Sequence, residues 1–303
     1  MLHELQEHWD KAYEASPAKV PFFTWPWHND WQTVFGNSCQ PFYLLIDNKV
    51  IAPFVKKDQT VIWSGGEEIA DYLDLIGPDE AKVSAWPQII EFFKQEHVMS
   101  LSLRNVPENS PTITFFKTLP NAVITQEDTT PTISLPPTWE EFIESAPSRK
   151  YRHELERKIR KFEREHPDAE VTVSQNPEKD VDILLTLMEK DADKKMFLTP
   201  AMGIMFRKIA GTFKDNISLL LLGMGDKHAA AALSFVQKDT YYLYNSGFDK
   251  DCCPNGGFYL KSMSIKYAIE HGGKTYNFLQ GSERYKYELG GKDFFVYSIQ
   301  YQL

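Results

Sequence analysis

The sequence predicts an α/β protein with mixed (α+β) sheets, organised in two halves of similar size. Three observations lead to this expectation. The chain has 303 residues, which suits one large domain or two of about 150 residues each. The second half shows strand and helix patterns in a regular order. A segment that contains two prolines and a helix-capping threonine, residues 136–141, marks a joint between the halves.

Composition and charge exclude several classes of protein. With 42% hydrophobic residues and a net charge of -9, the chain is typical of a globular protein that is poorly suited to bind duplex nucleic acid. It contains no apolar run long enough for a membrane span, and the first residues lack the pattern of a signal peptide, so we expect a cytoplasmic protein. The three cysteines, Cys39, Cys252 and Cys253, form no CxxC pair, so we predict no metal site and no disulfide framework.

In the first half, we predict a helix followed by a mainly strand-forming region. Apolar runs bounded by turn residues indicate the strands, and the turn residues at 47–49 predict a hairpin. The spacing of Trp86, Ile89, Ile90 and Phe93 predicts one long helix. The predicted helices are 2–14 and 81–96, and the predicted strands are 41–46, 50–55, 60–63, 72–76, 98–103 and a proline-interrupted region at 123–135.

The second half has a clearer pattern. A helix over 148–165 is indicated by an apolar stripe at Tyr151, Leu155, Ile159 and Phe162. We place the boundary near Ala146–Pro147, which gives domains 1–146 and 147–303. The other predicted helices are 180–194, 200–212, 256–271 and 282–288, and the predicted strands are 169–174, 217–222, 229–237, 240–247, 275–279 and 294–302.

A group of motifs lies in the last third of the chain. It comprises TYYLYNSGFD at 240–249, PNGG at 254–257, YNFL at 276–279 and GSERYK at 281–286. These motifs resemble the signature of the FemAB/CelD-like branch of the GNAT acyltransferase superfamily. TWPW at 24–27 and WSGG at 63–66 resemble the family's first half more loosely. The loop at 254–257, Asn277 and Gln280 depart from the family pattern, where Ser-Pro-Gly, Asp and Arg are frequent.

The resemblance implies two tandem GNAT-like domains in a FemAB-like architecture, with acetyl-CoA or another acyl-CoA as co-substrate and an amine as acceptor. The start of the predicted helix at 256 would hold the pyrophosphate, because free N–H groups and the helix dipole attract anions there. The strand before it would hold the pantetheine arm where it diverges from the strand at 275–279. The implied cofactor-binding residues are Tyr244, Asn245, Ser246, Asn255, Gly256, Gly257 and Phe258.

Four residues are candidates for the transfer chemistry. Tyr285 lies in the matching Tyr-Lys pair, and a phenol can protonate a leaving thiolate. Lys286 can stabilise negative charge on a substrate or leaving group. Asp249 and Glu283 are candidates for the base or for contacts to the acceptor. The alternatives remain open: a half-buried aromatic residue, a solvated lysine, and surface or capping carboxylates.

Trp27, His28 and Trp63 are candidates for an aromatic wall around an acceptor, with core packing as the alternative. The basic stretch at 149–161 is interleaved with Glu154 and Glu156, which is typical of a solvated face laced with salt bridges. The resemblance to FemAB-like transferases implies an alternative, in which such a basic surface holds tRNA or a phosphorylated cell-wall precursor.

Three functions follow in order of preference. The first is an acyl-CoA-dependent N-acyltransferase acting on a small amine, an amino sugar or a cell-envelope precursor. The second is an aminoacyl-tRNA-dependent transferase that builds peptide branches, which is less favoured because the long coiled-coil arm of tRNA-using Fem proteins is absent. The third is an inactive GNAT-fold binding protein. The sequence leaves the oligomeric state open.

Overall fold

The structure, a computed structural model, describes residues 2–145 and 149–303, with only the backbone at 149 and 150. The chain forms two compact units. Unit 1 comprises Met1–Thr129 and Phe294–Leu303, and unit 2 comprises Thr130–Asp293. The predicted boundary at Ala146–Pro147 and the predicted helix start at Ser148 lie outside the described residues.

The helices are α1 Gln6–Ala15, α2 Trp25–Phe35, α3 Asp79–Gln95, α4 Pro111–Phe116, α5 Trp139–Glu144, α6 Arg149–Glu165, α7 Pro177–Met188, α8 Ala192–Phe197, α9 Pro200–Thr212, α10 Gly256–Glu270 and α11 Arg284–Glu288. The strands are β1 Gln40–Ile46, β2 Val50–Lys57, β3 Thr60–Trp63, β4 Ser100–Pro107, β5 Val123–Thr129, β6 Thr132–Ser134, β7 Ala169–Val173, β8 Ile217–Met224, β9 Lys227–Gln237, β10 Thr240–Phe248, β11 Thr275–Asn277 and β12 Phe295–Gln302.

Unit 1 contains a sheet of strand order β1-β2-β3-β4-β12-β5. The first three strands are antiparallel, β3 and β4 are parallel, and β12 is antiparallel to both of its neighbours. The predicted hairpin between β1 and β2 turns at Asp47 and Asn48, whose φ angles of 50° and 55° suit the tight turns that join such strands.

Aromatic side chains fill the core of unit 1. Trp9, Trp27, Trp63 and Trp86 are all 0% exposed, and Phe54 stacks on Trp63 with ring centroids 4.7 Å apart. The segment at 25–35, which periodicity alone did not identify, is helix α2. Its start is fixed by the hydroxyl of Thr24, which accepts the backbone N–H of Trp27, and by proline in the first turn.

Unit 2 contains a sheet of order β6-β11-β10-β9-β8-β7. The strands from β7 to β10 are antiparallel to their neighbours, and β10 pairs in parallel with β11. Helix α10 makes the connection between the two parallel strands, as a parallel pair requires. The apolar core on this sheet includes Leu222, Leu243, Ile265 and Tyr276, each at most 4% exposed.

The last strand differs from its prediction in partners rather than in position. It was expected to complete the second half, but β12 lies between β4 and β5 in the sheet of unit 1. The predicted strand region at 123–135 also divides, because β5 joins the sheet of unit 1 and β6 joins that of unit 2. Pro131, which has no N–H to donate to a ladder, separates them. Alternating burial identifies a strand but carries no information about its neighbours.

Three further expectations differ locally. The compact units divide at Thr129/Thr130 and assign the last strand to unit 1, unlike the predicted domains 1–146 and 147–303. The predicted strand at 72–76 makes only an isolated bridge, from Ile76 to Ile51. The predicted helix at 180–194 is interrupted, because the carboxylate of Asp191 accepts two backbone N–H groups and starts α8.

Across residues 2–145 and 149–303, no helix combines the length and the apolar character needed to cross a bilayer. The same residues contain no group of three or more His, Cys, Asp or Glu side chains arranged to hold a metal ion.

Candidate functional site

The two parallel strands of unit 2 separate soon after they meet. β10 and β11 pair only at Thr240, Tyr241 and Tyr242, opposite Thr275, Tyr276 and Asn277. β10 then continues to Phe248 against β9 alone, while the chain after β11 turns away at Leu279, whose φ is 57°. Within the described residues, the β11-side edge of 243–248 therefore has no strand partner, and we call this divergence of the two strands the splay. This divergence is the feature that the resemblance implies for a pantetheine arm.

A bulge in β10 lies at the start of the splay. The register with β9 shifts between Leu243 and Asn245, so Tyr244 is the additional residue. Its ring is buried against Phe206 and Phe235, at 5.6 and 5.1 Å between ring centroids. Asn245 and Ser246 follow as partly exposed residues on the free stretch of the strand.

The start of α10 provides free backbone donors. Asn255 adopts a left-handed conformation, with φ of 68°, and Gly256 N–H donates to the carbonyl of Cys253. Within the described residues, the N–H groups of Gly257 and Phe258 have no backbone acceptor. Such groups at the first turn of a fifteen-residue helix can bind an anion.

The two glycines of this turn are explained by packing. A Cβ on Gly257 would lie 2.8 Å from ring carbons of Phe248, and a Cβ on Gly256 would lie 3.2 Å from the sulfur of Cys253. Their missing side chains therefore face the protein interior. The binding of a phosphate at this turn stays a prediction. It rests on the free N–H groups and not on the missing side chains of the glycines.

Asp249 holds the turn that follows β10. Its Oδ1 accepts the N–H groups of Asp251 and Cys252 at 3.0 and 3.1 Å, and its Oδ2 lies 3.2 Å from Nζ of Lys190. The N–H of Cys252, followed by the ammonium of Lys190, lowers the pKa of this carboxyl. The geometry matches the capping alternative and gives no support to a role as base.

Lys286 is buried rather than solvated. It is 1% exposed, and its Nζ donates to the carbonyls of Leu279, Gln280 and Gly281 at 3.0, 2.6 and 3.0 Å. The carboxylate of Glu283 lies 2.9 Å away. Because an ammonium has three donors, this lysine has no free hydrogen for a substrate. In this geometry it orders the turn after β11, and a charge-stabilising role stays a prediction.

Tyr285 lies beside the splay on α11. Its ring is half-buried, in edge contact with Phe278, and Nζ of Lys261 lies 4.0 Å from the ring centroid. Burial, followed by the negative charge of Glu283, raises the pKa of the phenol. The phenol is therefore protonated at neutral pH and is available as a hydrogen-bond donor.

Two lysines that the sequence analysis missed also border the splay. Lys194 on α8 donates to the carbonyl of Ser246 at 2.5 Å, and Lys261 on α10 lies over Tyr285. Burial lowers the pKa of both, that of Lys261 to about 8. One signal for Lys261 exists in the sequence, because it stands four residues from Gly257 and from Ile265 on the buried face of its helix.

The three acceptor candidates of the first half do not form an exposed wall. Trp27, His28 and Trp63 are 0%, 1% and 0% exposed. The indole of Trp27 donates to Gly65 at 2.9 Å, and Nδ1 of His28 lies 3.1 Å from the hydroxyl of Ser64. Burial lowers the pKa of His28 to about 3. The expectation of an acceptor wall is therefore corrected to core packing.

Residues 149–287 match the family model described as acetyltransferase (GNAT) domain. The second unit carries a GNAT domain. For residues 149–287, this match confirms the superfamily that the motifs at 240–249 and 281–286 resemble, and the GNAT fold of this region indicates a transferase. No curated protein matches the chain.

Solved structures with little sequence identity share the complete fold. FemX matches with a TM-score of 0.65 and 12% identity over 98% of this chain and 96% of its own. L-PGS from Bacillus licheniformis matches with a TM-score of 0.66 and 11% identity, over 97% of this chain and 91% of its own. A tandem GNAT protein from the clavulanic acid biosynthesis pathway matches with a TM-score of 0.54 and 9% identity, over 99% of this chain and 94% of its own. The chain thus has a FemAB-like architecture with two GNAT-type units.

Proposed function

We propose that the protein is an acyl-CoA-dependent N-acyltransferase that transfers an acetyl or other acyl group to the amine of a small molecule, an amino sugar or a cell-envelope precursor. The observation that carries this proposal is the splay, followed directly by the free N–H groups at the start of α10. Together they offer a strand edge for an amide-containing arm and an anion site at its end.

The donor would extend from the splay to the helix start. The edge of β10 at Tyr244, Asn245 and Ser246 offers backbone groups to a pantetheine arm. The N–H groups of Gly257 and Phe258 would bind the pyrophosphate. Asn255 contributes through its left-handed conformation, which lets the chain enter α10 abruptly.

The reaction joins the amine nitrogen of the acceptor to the carbonyl carbon of the thioester, and the carbon–sulfur bond breaks. Negative charge then develops on sulfur. The phenol of Tyr285 would donate a hydrogen bond to it, and the raised pKa favours such a bond over complete loss of the proton. Glu283, whose side chain is 56% exposed, is the carboxylate that we assign to accept the proton of the amine.

The surface of α6 favours a CoA donor over tRNA. Four of its described cations lie within 4.0 Å of a carboxylate: Arg157 with Glu154, Arg160 with Glu156, Lys161 with Glu165 and Lys158 with Glu288. A cation that is already paired contributes less to phosphate binding, and phosphate contacts supply most of the affinity for nucleic acid. The basic stretch thus has the salt-bridged character that its sequence indicated.

A thiol-release assay tests this proposal. Purified protein is incubated with acetyl-CoA and a panel of primary amines, and free CoA is measured against a reaction without amine. We expect amine-dependent release of CoA and a matching N-acetyl product by mass spectrometry. Binding of acetyl-CoA without product from any amine would favour a binding protein. Product formation only with aminoacyl-tRNA would replace acyl-CoA as the donor.

A further inference from the structure

Three lysines reach the end of the splay from three different elements of unit 2. Lys194 extends from α8 to the carbonyl of Ser246 on β10. Lys286 extends from α11 to the carbonyls that follow β11. Lys261 extends from α10 over the ring of Tyr285. The two strand ends and the proposed hydrogen-bond donor therefore each have an ammonium group beside them.

The three ammonium groups differ in how many partners they have. Lys286 is saturated by three carbonyls and a carboxylate. Lys194 has one hydrogen bond, to Ser246, and within the described residues Lys261 has neither a hydrogen bond nor an ion pair. Lys194 and Lys261 are partly exposed, and an ammonium offers three donors. Two donor hydrogens of Lys194 and three of Lys261 therefore have no protein acceptor among the described residues.

The nearby carboxylates do not supply the missing charge to Lys261. Glu283 is bound to Lys286, and Asp191 is bound to backbone N–H groups at the start of α8, although both act electrostatically on Lys194. The charges that act on Lys261 are those of Lys194, Glu283 and Lys286. Two carboxylates thus face three ammonium groups, and the site lacks a negative charge.

We propose that Lys194 and Lys261 bind an anionic group, a carboxylate or a phosphate, that a substrate carries next to the transfer centre. Such a group would complete the charge balance, accept the free ammonium hydrogens and lie beside Tyr285. The inference rests on the proposed function for the identity of the reaction, but not for the existence of the anion site. The anion is either on the acceptor, as in an amino acid or an aminoalkyl phosphate, or on the donor.

Binding of inorganic phosphate to the full chain tests the site without any turnover. We would titrate phosphate into the wild type, Lys261→Met, Lys194→Met and Lys266→Met, and follow binding by calorimetry and by NMR of the lysine Nζ groups. Lys266 is a matched control because it lies on α10 and pairs with Glu270 at the surface. We expect both site variants to weaken phosphate binding at least tenfold, the control to leave it unchanged and Lys261→Arg to retain it. Equal affinity in all variants, or no saturable binding to the wild type, would overturn the proposal.

Matched amines then identify the source of the anion. Ethanolamine is compared with phosphoethanolamine, and ethylamine with β-alanine, each with acetyl-CoA. If the acceptor carries the anion, Lys261→Met raises KM for the charged member of each pair and leaves the neutral member unaffected. If the donor carries it, the affinity for acetyl-CoA falls equally with every amine. Loss of phosphate binding in the variants of a protein that transfers no acetyl group would uphold the site and reject the proposed function.

Discussion

Each unit contains a six-stranded sheet with one parallel pair, and the two units use that pair differently. In unit 1, β3 and β4 pair only at Thr60 and Val61, opposite Ser100 and Leu101, and then separate. The chain itself occupies that divergence: Asn105 donates to the carbonyls of Glu67 and Ala70 and accepts the N–H of Leu73. In unit 2, side-chain ammonium groups border the divergence instead. The divergence in unit 1 is thus closed by the chain itself, and we propose that a ligand enters the one in unit 2.

Lys82 of unit 1 and Lys261 of unit 2 show the same contrast. Lys82 in unit 1 is 2% exposed and lies 3.1 Å from Asp74 and 3.2 Å from Asp79. The Asp74 carboxylate also accepts the hydroxyls of Ser110 and Thr112 at 2.8 and 2.6 Å. Lys261 in unit 2 has only a ring face. Removing a partner of Lys82 would leave a buried, unpaired charge, which is costly. The donor hydrogens of Lys261, in contrast, have no protein acceptor among the described residues.

The largest effect should come from breaking the network of unit 1. Asp74→Ala leaves Lys82 buried with only the half-exposed Asp79 as partner, so we expect the free energy of unfolding to fall by about 3–5 kcal/mol. Denaturant unfolding followed by tryptophan fluorescence measures this. Glu80→Ala, an exposed carboxylate in the first turn of α3, is the control and should change stability by less than about 1 kcal/mol. Equal losses in both variants would contradict the assignment.

In unit 2, Lys261→Met should raise the free energy of unfolding, whereas Asp74→Ala lowers it. The folded pKa of about 8 lies below the ordinary lysine value of 10.5, so the charged form is costly in the folded state. At pH 7 we expect the variant to be more stable by on the order of 3 kcal/mol. Between pH 8 and 10.5 the unfolded chain binds the additional proton, so wild-type stability rises and the advantage of the variant disappears. Hydrogen exchange of β9 and β10 measures the stability gain at pH 7 and its loss at higher pH. A stability gain that does not depend on pH would contradict the lowered pKa of Lys261.

Acid should destabilise unit 1 through His28. Its folded pKa of about 3 lies below the ordinary histidine value of 6.5, so below pH 6.5 the unfolded chain binds a proton that the folded chain does not. This histidine alone should lower stability by about 1.4 kcal/mol for each pH unit below 6.5. His28→Gln, although less stable at pH 7, should show a shallower decline between pH 6.5 and 5. Identical slopes in the two proteins would show that His28 titrates normally.

Tyr285→Phe should affect turnover and leave the donor site intact. Loss of the phenol hydroxyl removes the hydrogen bond to the leaving sulfur, so we expect kcat to fall about tenfold or more. The affinity for acetyl-CoA should change less than twofold, because the proposed contacts to CoA come from β10 and α10. The thiol-release assay and calorimetry separate the two quantities. Unchanged turnover would remove Tyr285 from the mechanism.

Local signals in the sequence predicted the elements better than their neighbours. Turn residues and periodicity located the hairpin at Asp47, the long helices and the strands around the splay. The placement of β12 in the sheet of unit 1 depends on long-range pairing, which alternation does not encode. The burial of Trp27 and Trp63 likewise depends on which faces meet.

The candidate site shows the same division between local and tertiary information. The motif correctly indicated where β10 ends and α10 begins. It predicted that Asp249 and Lys286 take part in the transfer chemistry. In the structure, both side chains form hydrogen bonds with the backbone of the adjoining turns. Lys194 and Lys261 reach the site from helices outside the motif strands, and helix periodicity marks Lys261 alone as facing inward. Their position beside the splay depends on the tertiary fold.

The most direct test of the account is calorimetric titration of the purified protein with acetyl-CoA and a few longer acyl-CoAs. We predict saturable binding of acyl-CoA in the micromolar range, because we assign the edge of β10 and the start of α10 to one donor site. A competition titration with CoA lacking the acyl group would show that the arm and pyrophosphate carry the affinity. No binding of any acyl-CoA would contradict the open splay as a donor site and would leave aminoacyl-tRNA as the ligand to titrate next.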